Sequence, residues 1–139
     1  HEITLWQNRT YEILRMASVA LVTSGTATLE TALFRVPQVV CYKAHPVSVA
    51  IAKRLVKVRF ISLVNLILNR EAVKELLQEE MQVATIRTEV QALLEDEERR
   101  TSLFKDYDEL KNLLDQGDAS AAAAGKVYAL AMQQPADQH

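Results

Sequence analysis

The stretch Val19–Pro37, VALVTSGTATLETALFRVP, decides how this chain is read. Val19 to Thr23 is a short apolar run rich in β-branched residues, the pattern of a buried strand. Ser24, Gly25 and Thr26 interrupt it with small, hydroxyl-bearing residues. Thr28 to Arg35 then carries Leu29, Ala32 and Leu33 at the i, i+3, i+4 spacing of a helix with one buried stripe. Strand, small-residue turn and helix, in that order, aim the helix N-terminus at the space beyond the strand's C-terminal end. Four backbone N–H groups lack partners there and the helix dipole is positive, so an anion is favoured. Gly25 lets the backbone come close, and Ser24, Thr26 and Thr28 add hydroxyl donors. Glu30 sits one turn further in. Its carboxylate repels a phosphate but accepts hydrogen bonds from a sugar diol, so the pair suits a phosphate beside a ribose. The same pattern also describes an ordinary strand–turn–helix unit, with Ser24 or Thr26 as N-cap and Glu30 solvated.

Size and composition bound what surrounds this unit. A chain of 139 residues suffices for one domain with a core and is short for two. Hydrophobic content of 49% and charged content of 24% fit a soluble globular protein, and a net charge of −2 makes no case for nucleic acid. Three glycines and three prolines argue against an all-β fold. Cys41 is the only cysteine, which excludes an internal disulfide and a cysteine cluster for metal. His1 and His139 are terminal and His45 stands alone, so no metal site is expected. No apolar run approaches the roughly eighteen residues of a membrane span, and no signal peptide is visible. A cytosolic, reducing setting is the default expectation.

Taken in order, Tyr11 to Met16 reads as a short helix capped by Asn8 or Thr10, with Ile13, Leu14 and Ala17 turned inward. After the Val19–Pro37 unit, Gln38 to Tyr42 reads as a strand parallel to the first across a right-handed crossover. Pro46 suits the start of a helix from Val47 to Val56. Lys53, Arg54 and Lys57, extended by Arg59, make it a basic amphipathic helix suited to an anionic membrane surface. It reads also, and more readily, as a surface helix whose basic stems cover apolar neighbours. Phe60 to Val64 is a third strand-like run, and Asn69 suits a left-handed loop position. Beyond Glu71 the pattern is helical throughout: Glu71–Glu80, Val83–Leu94, Asp96–Leu114 and Ala119–Met132, with Gly117 breaking the third from the fourth. Residues 1–80 thus form a partial Rossmann-like unit on which helices of 81–139 pack, one domain overall. Three strands before four helices is a lopsided α/β unit, the later half of a doubly wound domain.

Several motifs in sequence order resemble lipid-A-disaccharide synthase. They are Ala20-Leu-Val-Thr-Ser-Gly-Thr-Ala-Thr-Leu-Glu30, Val36-Pro37, Val39-Val40, Ala52-Lys-Arg-Leu-Val-Lys57, Ile61-Ser-Leu63, Asn65-Leu66, and Arg70-Glu71 with Lys74 to Glu79. The match runs from about Tyr11 to Glu80. It implies the C-terminal Rossmann-like half of a GT-B glycosyltransferase. Such an enzyme moves 2,3-diacylglucosamine from its UDP donor to 2,3-diacylglucosamine 1-phosphate, inverting at the anomeric carbon and forming a β-1,6 link. It works without a metal or other cofactor, as a peripheral protein on the cytoplasmic side of the inner membrane in Gram-negative bacteria.

By the same resemblance, Ser24, Gly25, Thr26 and Ala27 match the turn that holds the diphosphate, and Glu30 matches the carboxylate on the ribose. Asn65, Arg70 and Glu71 match the family's residues at and after the nucleotide site. Val64 and Asn69 stand where the family usually has proline and glycine. A UDP leaving group develops charge that a helix N-terminus and amide donors stabilise. The general base for the acceptor hydroxyl belongs to an N-terminal domain, so no catalytic residue is expected here. That domain is one expected partner, and a homodimer is allowed by an open sheet edge. A reading from another class is a non-catalytic α/β interaction module with a helical, partner-binding tail.

Overall fold

A three-stranded parallel sheet in the order β1-β2-β3 forms the centre of the protein, seen in a computed structural model that describes residues 2–23, 25–43 and 59–117. The elements are α1 (Thr10–Met16), β1 (Ala20–Val22), α2 (Gly25–Leu33), β2 (Gln38–Tyr42), α3 (Leu63–Leu68), β3 (Lys74–Leu77), a 3-10 turn (Gln78–Glu80), α4 (Val83–Glu95) and α5 (Glu97–Asp115). The expected parallel pairing of the first two strands is observed, with Ala20 opposite Gln38 and Val22 opposite Val40. An α/β chain of parallel strands followed by helices is therefore the fold class. The expected helices at Val47–Val56 and Ala119–Met132 lie outside the described residues.

The third strand is not where the apolar run placed it. Phe60–Val64 is no strand: the Ser62 hydroxyl accepts from the Asn65 N–H at 3.2 Å, capping α3, and Val64 and Leu68 are buried one turn apart. Periodicity alone does not separate a short buried helix from a buried strand. The strand is Lys74–Leu77, inside the segment expected to be the helix Glu71–Glu80. Lys, Glu and Leu are good helix formers, but the free edge of β2 offers a full ladder from Val39 to Tyr42, and Val73 and Leu76 become buried by taking it. Tertiary pairing overrides local propensity here.

Ends differ in smaller ways. α1 has Arg9 at its N-cap with no side-chain bond, so neither Asn8 nor Thr10 caps it, and of its inward set Leu14 is buried while Ile13 is exposed. α2 begins at Gly25, a turn earlier than Thr28. Arg35, at φ 58°, ends it in the left-handed conformation as the Val36 N–H reaches back to the Thr31 carbonyl at 3.1 Å. Asn69 adopts the left-handed conformation expected of it, at φ 55°, and Asp96 caps α5 by accepting from the Arg99 N–H.

Side chains of the sheet alternate between its two faces. Glu75 points to the side of α3, where it bonds Ser62, and α2 packs beside α3. α4 packs on β2, and α5 contacts α2, α3 and α4. Val39, Val40, Val64, Leu76, Leu93, Leu103, Tyr107 and Leu110 form the core. Within it, the Gln38 amide donates to the Thr28 carbonyl at 3.0 Å and to the Tyr107 hydroxyl at 3.1 Å, and Tyr107 donates to the Val36 carbonyl at 3.0 Å. Burial pushes the Tyr107 phenol well above its ordinary value. Tyr107→Phe keeps the ring but strips the Val36 carbonyl and the Gln38 amide of a partner. Urea unfolding should show a loss of about 1–3 kcal/mol.

Candidate functional site

The α2 N-terminus lies just beyond the C-terminal end of β1, as the order of the elements requires. Thr26 is exposed and Gly25 and Ala27 are half-buried. Among the described residues, no side chain accepts from the N–H groups of Gly25, Thr26 or Ala27; Ser24 lies outside them. The Thr28 hydroxyl donates to the Gly25 carbonyl and the Thr31 hydroxyl to the Ala27 carbonyl, so both face back into the helix. Thr28 is fully buried and supplies no donor to the outside.

Packing does not explain the glycine. A Cβ on Gly25 would meet nothing nearer than the Ile61 carbonyl oxygen at 3.8 Å and Leu63 Cγ at 4.0 Å, which is ordinary contact. Its backbone lies outside the left-handed region.

Glu30 follows Thr26 by four residues and so lies on the same face of α2, its side chain tilted back toward the N-terminus. One oxygen, Oε1, accepts from the Tyr11 hydroxyl of α1 at 3.1 Å. The Tyr11 ring stacks on Phe34, the next residue along this face, with centroids 5.3 Å apart. The hydrogen bond to Glu30, and its charge, push the Tyr11 phenol above its ordinary value. Sequence reasoning gave Tyr11 no part here, because nothing in the pattern of α1 signals that it crosses α2 at Glu30.

The neighbouring α3 N-terminus is differently filled. Glu75 accepts from the N–H groups of Ile61 at 2.9 Å and Ser62 at 2.8 Å, from the Ser62 hydroxyl at 2.7 Å, and from the Asn65 amide at 2.9 Å. Asn65 is fully buried. Its Nδ2 also donates to the Val73 carbonyl at 2.8 Å, while Oδ1 accepts from the Ala72 and Val73 N–H groups at 2.8 and 2.9 Å. Every hydrogen-bonding position of this side chain is used within the chain, which makes Asn65 a brace joining α3 to β3. Glu75, the carboxylate at the centre of this network, went unnoticed in the sequence because its segment was read as a helix.

Arg70 and Glu71 are not brought to the α2 N-terminus. They precede β3 and so lie toward the N-terminal edge of the parallel sheet, opposite to Gly25. Arg70 is held there by Asp106 at 2.6 Å and Glu109 at 2.5 Å, both on α5, and Glu71 pairs with Lys74 at 3.2 Å. The described residues therefore group Gly25, Thr26, Ala27 and Glu30 in one place and Arg70 and Glu71 in another. Arg59 is exposed, with its guanidinium 5.2 Å from the centre of the Phe60 ring. Lys53, Arg54 and Lys57 lie outside the described residues.

The Arg70 guanidinium holds the Glu109 carboxyl below its ordinary value near 4.5. A depressed carboxyl contributes stability that is complete above that ordinary value and is lost as pH falls through the lowered one. Glu109 is half exposed, so the contribution stays below about 1 kcal/mol. Urea midpoints taken from about pH 6 to pH 3 should fall further for the parent than for Glu109→Gln.

A polar hollow of about 270 Å³ also lies at the Arg70 end, lined by Gln38, Glu71, Lys74, Arg99, Ser102 and Asp106 among others. Among the described residues no group of His, Cys, Asp and Glu could hold a metal ion, and no helix is long and apolar enough to cross a membrane.

Residues 1–127 match the family model described as lipid-A-disaccharide synthetase. The chain belongs to the lipid-A-disaccharide synthetase family. It is 38% identical over 128 residues to lipid-A-disaccharide synthase of Sodalis glossinidius, covering 92% of this chain and 33% of that protein. The enzyme of Trichlorobacter lovleyi is 35% identical over 131 residues, 94% of this chain and 34% of its own length. That of Neisseria gonorrhoeae is 37% identical over 121 residues, 87% and 31% respectively. The chain thus spans about a third of the length of the curated relatives it matches.

Proposed function

We infer that this chain is the donor-binding part of a glycosyltransferase of lipid A synthesis. Its substrate is a UDP-linked, 2,3-diacylated glucosamine, passed with inversion to 2,3-diacylglucosamine 1-phosphate to form the β-1,6 disaccharide. The observation that carries this reading is the α2 N-terminus: amides of Gly25, Thr26 and Ala27 that no side chain among the described residues accepts from, and a carboxylate one turn down the same face. The diphosphate meets those amides, and Glu30 accepts from the ribose hydroxyls. As the bond to the sugar breaks, negative charge gathers on the departing UDP, and fixed amide donors stabilise it without reorganising. The residue that takes the proton from the acceptor hydroxyl belongs to another part of the enzyme.

Asn65, Arg70 and Glu71 act in this reading by holding the fold rather than by touching nucleotide. Asn65 braces the α3 segment whose Ile61 carbonyl and Leu63 lie against Gly25. The basic residues Lys53, Arg54, Lys57 and Arg59 hold the enzyme against the anionic inner face of the cytoplasmic membrane as a peripheral protein.

Titration calorimetry with UDP tests the reading. The chain should bind UDP, and Glu30→Ala should weaken it about tenfold, the loss of a charge-assisted hydrogen-bond pair. No heat from folded protein, or equal binding by parent and variant, contradicts it. The membrane surface is tested separately. Co-sedimentation with anionic vesicles should fade in high salt and drop in the Lys53→Glu, Arg54→Glu double variant, since exposed charges are screened beyond about 10 Å at 0.1 M salt.

A further inference from the structure

Tyr11 occupies a place that neither the fold nor the anion site requires. It lies on α1, outside the strand–turn–helix unit, is more than half exposed, and buries no core surface. Yet its hydroxyl bond and its ring stack both fall on the face of α2 that carries Glu30. The hydroxyl meets Glu30 Oε1 at 3.1 Å and the ring stacks on Phe34 at an interplanar angle of 17°. Thr26, Glu30 and Phe34 are spaced i, i+4, i+8, so a single tyrosine spans the lower part of one stripe whose upper end is the open amide of Thr26. Stacking on Phe34 fixes where the hydroxyl sits, and the hydroxyl in turn fixes one carboxylate oxygen.

We propose that Tyr11 is a positioning residue that sets Glu30 for recognition of the ribose diol, a reading that rests on the nucleotide site described above. A glutamate on a helix surface has three rotatable bonds, so its carboxylate can settle in several staggered arrangements. A carboxylate takes a vicinal diol by accepting one hydroxyl on each oxygen, so both oxygens must face the sugar together. The Tyr11 bond uses one lone pair of Oε1 and leaves the second, together with both lone pairs of Oε2, for the ligand. The side chain is held in register before nucleotide arrives, and the ligand no longer bears the cost of ordering it. Selectivity for a ribonucleotide over its deoxy counterpart then depends on a residue that touches the carboxylate and not the diphosphate.

The test is a calorimetric comparison of UDP with 2′,3′-dideoxy-UDP on the parent chain, Tyr11→Phe, Glu30→Gln and the double variant. Phenylalanine keeps the stack on Phe34, so the fold is not at issue, and circular dichroism checks that it is retained. Tyr11→Phe should weaken UDP about fivefold, leave dideoxy-UDP unchanged, and add nothing to Glu30→Gln in the double variant, as two residues acting through one contact should. A Tyr11→Phe chain that binds UDP like the parent, or that loses both nucleotides equally, overturns the role of Tyr11. If Glu30→Gln itself leaves the preference for UDP over dideoxy-UDP intact, the ribose assignment of Glu30 falls first and the inference with it.

Discussion

Asn65→Ala should cost about 4 kcal/mol of stability, read as a large drop in urea midpoint with the slope unchanged. The side chain is fully buried and makes four hydrogen bonds, to Val73 twice, to Ala72 and to Glu75. Alanine leaves the Val73 N–H and carbonyl buried without partners at the start of β3. The Ala72 N–H has a second acceptor in the Arg70 carbonyl, and Glu75 keeps Ser62, so the damage centres on Val73. Asn65→Asp should be no better. An oxygen would replace Nδ2 opposite the Val73 carbonyl and the Glu75 carboxylate, setting acceptors against acceptors. A midpoint within about 0.5 kcal/mol of the parent in either variant would show that this network does not brace β3.

The second large effect carries opposite signs in stability and binding. Thr26→Asp puts a carboxylate in the first turn of α2, where the helix dipole favours it by about 0.5 kcal/mol. The melting temperature should hold or rise slightly. The same charge stands where the proposal places the diphosphate. Like charges about 4 Å apart near a protein surface repel by roughly 4 kcal/mol, so UDP affinity should fall at least about a hundredfold. Thr26→Asn, of the same size and uncharged, should stay near the parent in both. A Thr26→Asp chain that is stable and still binds UDP tightly would move the diphosphate elsewhere.

The Val19–Pro37 unit was legible because its signals are local. The β-branched run and the helix at Val19–Pro37 each report one short-range preference, and the structure has both to within a turn. Gly25 and Thr26, however, open the helix rather than precede it and, of the expected stripe, Ala32 is buried while Leu33 is exposed. α4 and α5 were legible for the same reason, through Leu93 and the stripe of Leu103, Tyr107 and Leu110. The third strand was not. Lys74–Leu77 becomes a strand only because the edge of β2 is there to pair with it, and that edge is remote in sequence. Misplacing β3 hid Glu75 and, with it, the reason why Asn65 is buried. Arg70 was placed at the site by resemblance alone, and its partners Asp106 and Glu109, on a helix more than thirty residues away, left no local signal. Partners across the fold, not the residue types, decided these roles.

Amide chemical shifts read the N–H groups that open α2 individually. On titrating UDP into the labelled chain, the Gly25, Thr26 and Ala27 N–H resonances should shift first and furthest and saturate with the calorimetric affinity. Glu30 and Tyr11 should follow with smaller changes. Shifts confined to the Arg70 end of the sheet, with Gly25 to Ala27 unmoved at saturation, would contradict the account.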